Sequence, residues 1–85
     1  MIDAVSDEAT IRRLEWRCRR GMKELDLLLL RFVRDHYARA GDDERAAFAD
    51  FLELPDPDLV RYLIAADVPA DPRFAALCRR MRQPD

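Results

Sequence analysis

The sequence contains few of the residues that phosphate loops, disulfide frameworks and metal sites require. It has 2 glycines, 2 cysteines and 1 histidine in 85 residues. Two isolated glycines exclude a glycine-rich phosphate loop, and cysteines in no CxxC or Cys/His spacing leave no metal-ligand set. Nothing completes a nucleophile–base pair either. We therefore expect no catalytic residue, no bound metal and no enzyme.

Long hydrophobic runs are absent as well. The leucines at 27–30 are followed at once by Arg31, whereas a membrane-spanning helix needs roughly 20 apolar residues. The N-terminal residues also contain no apolar signal-peptide core. We expect a protein of the reducing cytoplasm that does not insert into a membrane.

The residues that are abundant are those of packed helices. The chain is 49% hydrophobic and 38% charged, with a net charge of -2 that gives it no general affinity for nucleic acid. The charge is unevenly distributed. Residues 11–20 carry five arginines and one glutamate, whereas residues 42–58 carry seven acids and one arginine.

Apolar spacing and helix-boundary residues predict five helices. They begin near Ser6, Met22, Asp42, Asp56 and Asp71. Glycines end the first two, near Arg20 and Arg39, and Asp-Pro pairs at 56–57 and 71–72 place a capping carboxylate before the proline of a first turn. We therefore predict an all-α fold, a compact five-helix bundle forming a single domain over residues 1–85, with frayed ends at 1–6 and 83–85.

The second helix has the clearest apolar face. Its apolar stripe consists of Leu25, Leu28, Leu29, Phe32, Val33, His36 and Tyr37. At roughly 100° per residue, Leu27 lies opposite this stripe, so it is either covered by another helix or left in an exposed apolar patch, and we favour partial cover. His36 is more readily a core-edge histidine than a general base.

Cys18 and Cys78 allow two interpretations. They form a disulfide only if the first and fifth helices touch, and a reducing cytoplasm with helical burial favours inert core thiols instead.

The turn that contains Arg20, Gly21 and Glu24 is the best candidate for function. In one interpretation it is an ordinary helix end, in which Gly21 adopts positive φ and Arg20 pairs loosely with Glu24. In the other it is a recognition corner, where glycine lets a partner approach closely and the two charges set the register. The local chemistry leaves these two interpretations equally supported.

The arginines around Trp16 in the first helix allow nucleic-acid binding as an alternative. Glu15 interrupts the run, the aromatic residue is single, and the acidic middle of the chain repels a long polyanion. We therefore favour a solvated helix face and expect no nucleic-acid partner.

Three segments together resemble the SdhE family of FAD assembly factors. They are WRCRRGMKELD at residues 16–26, DPDL at 56–59 and Tyr62-Leu63. The similarity extends from about residue 11 to residue 81. Tyr62 departs from the family, many of whose members have tryptophan there, but it keeps an aromatic side chain.

The resemblance implies a five-helix bundle that binds the flavoprotein subunit of succinate dehydrogenase, and of fumarate reductase in some bacteria. Such a protein promotes covalent attachment of FAD to a histidine of that subunit and holds no FAD stably itself. The implied partner-binding residues are the RGxxE residues Arg20, Gly21 and Glu24, with Arg19, Asp26, Trp16 and Tyr62. The resemblance also implies a monomer when free, and the lack of a transit peptide favours the bacterial cytoplasm.

One alternative function stays open at this point. A small helical interaction protein, or a nucleic-acid-binding regulator of the toxin-neutralising type, would have a different client.

Overall fold

The computed structural model describes residues 2–82, with side chains from residue 8 onward. Within that range the chain forms five α-helices, one 3₁₀ turn and no strand. The elements are α1 (Ile2–Arg17), α2 (Lys23–Asp35), the 3₁₀ turn (Tyr37–Arg39), α3 (Asp42–Phe51), α4 (Asp56–Leu63) and α5 (Pro72–Arg82). The predicted all-α, five-helix architecture is confirmed.

The first two helices end earlier than predicted. After Arg17 the helix narrows to a 3₁₀ turn. The amide of Arg19 donates to the carbonyl of Trp16, three residues earlier, at 3.1 Å, whereas an α-helical bond would reach four residues back. Helix α2 ends at Asp35 rather than near Arg39, and the guanidinium of Arg45 donates to the carbonyls of Tyr37 and Ala38 beyond it, at 3.0 and 2.9 Å.

The opposite end of α1 also differs from the prediction. The helix begins at Ile2, upstream of the predicted start at Ser6. Of the ends predicted to be frayed, residue 1 and residues 83–85 lie outside the described residues, as do the side chains of residues 2–7.

Helix α2 is the centre of the fold, since α1, α4 and α5 all pack against it, while α3 packs on α5. Four stripe residues of α2 are fully buried, namely Leu25, Leu29, Phe32 and Val33. The ring of Phe32 stacks on that of Phe48 in α3 with a centroid separation of 4.5 Å. The predicted apolar face is therefore the face around which the other helices assemble.

Leu27 of α2 and His36, which directly follows this helix, test the finer predictions. His36 is half-buried with its ring centroid 5.8 Å from that of Phe32, which confirms a histidine at the core edge. Leu27 is 64% exposed, which supports the exposed alternative and not the favoured cover by another helix. The helices that contact α2 bury its stripe and leave the opposite side to solvent.

The two cysteines are free and buried, which excludes a disulfide between them in this structure. Burial raises the pKa of Cys18 to about 12 and also raises that of Cys78. Both thiols are core residues, as the sequence favours.

None of the helices in the described part of the chain has the length and apolar character of a membrane-spanning segment.

The buried thiol of Cys18 predicts a loss of stability in alkaline solution. The folded protein holds this proton up to a pKa of about 12, whereas the unfolded chain releases it near the ordinary value of 9.0. Above that value the unfolded state binds fewer protons, so the free energy of unfolding decreases as the pH rises towards the folded-state pKa. Urea denaturation at a series of pH values measures this slope.

Cys18→Ala is the matched variant, because it removes the titrating group and leaves Cys78 in place. The variant is less stable at every pH, owing to the cavity, but its stability falls less steeply above pH 9.0. Equal slopes in the two proteins would contradict the role assigned to the Cys18 proton.

Candidate functional site

The turn between α1 and α2 is organised by the carboxylate of Asp26. Gly21 adopts a φ of 79°, a left-handed conformation that glycine takes without the steric cost of a side chain. The amide of Arg20 donates to Asp26 Oδ1 at 2.9 Å, and the amide of Gly21 donates to Asp26 Oδ2 at 3.2 Å. Because Asp26 lies in the first turn of α2, its negative charge also faces the positive end of the helix dipole.

The side chain of Arg20 points into the protein. Its Nε donates to the carbonyl of Arg17 at 2.8 Å, its Nη1 to Asp56 Oδ1 at 2.9 Å, and its Nη2 to the carbonyl of Leu52. The side chain is only 18% exposed. One guanidinium thus joins the C-terminal ends of α1 and α3 to the first turn of α4.

This arrangement corrects two predictions. Arg20 pairs with Asp56 and not with Glu24, which is exposed and forms no ion pair with any described residue. Asp56 makes no capping hydrogen bond, because Pro55 is the N-cap residue of α4 and the Asp56 carboxylate is directed to Arg20 instead.

The second Asp-Pro pair behaves as predicted. Asp71 Oδ1 accepts a hydrogen bond from the amide of Arg73 at 2.9 Å, which caps α5. That amide, together with the side chain of Arg73, holds the pKa of Asp71 below its ordinary value.

The outer surface of the turn is open. A Cβ atom built on Gly21 would meet nothing within 4 Å. Glu24 is exposed three residues further along, and Met22, the predicted start of the second helix, is 40% exposed. We call the exposed residues Gly21, Met22 and Glu24, with the supporting side chains of Arg20 and Asp26, the RGxxE corner.

Two of the remaining predicted residues adjoin the corner along the chain. Trp16 is 71% exposed on α1, and the guanidinium of Arg19 lies 5.0 Å from its ring centroid. Tyr62 is half-buried on α4. Its polar and ring contacts are with Arg61 and Arg82, so the structure does not join it to the corner.

A recess of about 230 Å³ lies between α3 and α5, at the other end of α3 from the corner. Its floor contains Ala47 and Leu77, and the arginines on its rim are already engaged. Arg73 pairs with Asp50 at 3.1 Å, and Arg80 pairs with Glu44 at 2.8 Å.

Among the described residues, no group of three His, Cys, Asp or Glu side chains could hold a metal ion.

Comparison with known sequences identifies the family. The sequence model of the family described as "Flavinator of succinate dehydrogenase" matches residues 12–85. The chain belongs to this family. The match includes the RGxxE corner and every residue predicted to bind a partner, and it confirms the family suggested by residues 16–26.

Proteins named FAD assembly factor SdhE are similar over most of this chain. The one from Methylococcus capsulatus is 47% identical over 70 residues, which cover 82% of this chain and 84% of the relative. One from Xylella fastidiosa, strain 9a5c, is 40% identical over 78 residues, which cover 92% of this chain and 80% of the relative. These are names of assembly factors, so the prediction that the chain is not an enzyme agrees with its family.

The Arg20 contacts predict that Arg20 and Asp56 are energetically coupled. Arg20→Ala should lower the free energy of unfolding by about 2 kcal/mol, because two helix-end carbonyls and a carboxylate lose a charged donor. Asp56→Asn should cost about 1 kcal/mol. In the double variant the losses should fall short of their sum by about 1 kcal/mol, measured by urea denaturation.

Arg19→Ala is the control for this cycle, since the side chain of Arg19 is exposed, lies against the ring of Trp16 and forms no ion pair with a described residue. Its effect should stay within about 0.5 kcal/mol. Strictly additive losses for Arg20 and Asp56 would mean that the ion pair contributes nothing to the stability of this helix junction.

Proposed function

We propose that this chain binds the flavoprotein subunit of succinate dehydrogenase and promotes covalent attachment of FAD to a histidine of that subunit. In bacteria that contain fumarate reductase, we include its flavoprotein subunit as a second client. The observation that carries the proposal is the RGxxE corner, an exposed glycine turn held by the hydrogen bonds of Arg20 and Asp26. The family description supports succinate dehydrogenase as the client, and the names of the relatives support a role in FAD assembly.

The corner divides its residues between two roles. Arg20 and Asp26 are positioning residues, because their charged groups are bound within the fold and fix the main chain on both sides of Gly21. Gly21 and Glu24 face solvent and are available to a partner, as are Arg19 and Trp16. A surface that is already ordered loses little conformational entropy when it binds. Tyr62 stays a predicted contact, separate from the corner.

The mechanism we propose is differential binding. The chain favours the conformation of the flavoprotein in which the isoalloxazine ring and the acceptor histidine are aligned, and the attachment itself is self-catalysed by the flavoprotein. The residues of this chain fit a helper without chemistry of its own. His36 lies at the core edge, and the thiols of Cys18 and Cys78 are buried and protonated at neutral pH.

The same proposal gives the chain no stably bound FAD of its own. The rim arginines of the recess between α3 and α5 are paired with Asp50 and Glu44, so a pyrophosphate would have to displace these carboxylates. We further propose that the free protein is a monomer of the bacterial cytoplasm.

Gly21→Arg tests the corner. At a φ of 79° any other residue is strained, so the variant should lose about 1 kcal/mol of stability while keeping its helical circular dichroism. Its new side chain extends into open space that the flavoprotein would occupy. Co-expression with the flavoprotein subunit should therefore give no acid-stable flavin fluorescence above the level seen without this chain.

Gly21→Ala is the matched control, because it carries the same backbone strain with only a methyl group added. It should melt like Gly21→Arg but retain most of the flavinylation. If both variants lose activity equally, backbone conformation and not access to the glycine surface is the requirement. If the wild-type chain gives no increase in covalent flavin, the proposed function is wrong.

A further inference from the structure

Most arginines of this protein are bound to acceptors within the fold. Those with a hydrogen bond or ion pair to a described residue include Arg17, Arg20, Arg34, Arg61, Arg73, Arg80 and Arg82. Arg12 and Arg13 of α1 are exposed and form no such bond with any described residue. The side chain of Arg19 lies against the ring of Trp16 and forms no ion pair with a described residue. The unmatched cations are therefore concentrated in and just after one helix.

Arg12 and Arg13 share one face of α1 with Trp16. At roughly 100° per residue, Arg12, Arg13 and Trp16 fall within an arc of about 100°. The centre of that arc is opposite the side that buries Leu14 and Cys18. We call Arg12, Arg13, Trp16 and Arg19 the basic face of α1.

Among the described residues, no carboxylate forms an ion pair with an arginine of the basic face. Glu15, which lies between residues of this face along the helix, falls about 60° outside the arc and is directed to Arg34 on α2, with Oε2 and Nε 3.4 Å apart. At the end nearest the corner, Arg19 directly precedes Arg20 and Gly21, and exposed Lys23 follows them. The basic face is therefore continuous along the chain with the RGxxE corner, although the net charge of the protein is -2.

We propose that the basic face of α1 docks an acidic segment of the flavoprotein subunit while the RGxxE corner is engaged. This inference rests on the proposed function and adds the chemistry of the partner surface. Exposed tryptophan and arginine are the residues most often found at the energetic centre of protein interfaces. A protein segment fits better than nucleic acid, because the exposed acids Asp42 and Asp43 at the start of α3 repel a long polyanion.

The two parts of the face have different kinetic roles. Arg12 and Arg13 are exposed charges with no ion pair to a described residue, so they steer the acidic segment and act mainly on the association rate. Trp16, with Arg19 stacked on it, offers a flat apolar surface that is desolvated only in the complex, so it acts mainly on the dissociation rate.

The test measures binding of the full chain to the purified flavoprotein subunit at two salt concentrations. Arg12→Gln with Arg13→Gln should lower the association rate constant about tenfold at low salt and flatten its salt dependence. Trp16→Ala should raise the dissociation rate constant about tenfold. Because all three side chains are exposed, both variants should melt like the wild type.

Arg79→Glu is the matched control. It changes the net charge by the same amount as the double glutamine variant, at an exposed arginine of α5 that forms no ion pair with a described residue. It should bind at the wild-type rate. An equal loss of association rate in Arg79→Glu would show that overall charge and not the basic face matters, and would overturn the inference.

The remaining outcomes separate this inference from the proposed function. If the wild type binds the flavoprotein, Gly21→Arg abolishes binding and the α1 variants bind like the wild type, the function stands and the inference falls. If the wild type does not bind at all, the proposed function itself fails. Binding of a labelled RNA that the double glutamine variant loses, without an effect on flavoprotein binding, would assign the face to nucleic acid and overturn the inference.

Discussion

The guanidinium group of Arg20 lies where the ends of three helices meet. The last carbonyls of an α-helix have no partner within the helix, and a helix end that is shielded from water needs a donor from elsewhere. Arg20 supplies this donor to the carbonyls of Arg17 and Leu52 and places its charge against Asp56. A lysine could not replace it, because the ammonium group lacks the planar fork that reaches three acceptors in different directions.

The shape of the corner follows from this junction. Arg20 is held by its side chain, and its amide and that of Gly21 are held by Asp26. The main chain is therefore restrained on both sides of the one residue that has positive φ and no side chain. The two interpretations of the motif in the sequence are compatible: the turn ends a helix, and the contacts that end it also expose a fixed glycine surface.

The sequence predicts contacts within a turn better than contacts between distant elements. The Asp71 cap is local, and it forms as predicted. Asp56 has the same Asp-Pro context, but a tertiary ion pair with an arginine 36 positions earlier replaces the cap. Leu27 shows the same limit, since periodicity identifies the side opposite the apolar stripe but does not say whether a neighbouring helix extends far enough to cover it.

The same limit applies to the candidate site. The motif identifies Arg20, Gly21 and Glu24 together, but it does not distinguish a residue that contacts a partner from one that holds the contact surface in place. The direction of each side chain makes that distinction. Arg20 is turned into the helix junction, whereas Glu24 and the open side of Gly21 face solvent. Loss of function in an Arg20 variant would therefore be expected from disruption of the junction alone, even if the guanidinium never touches the partner.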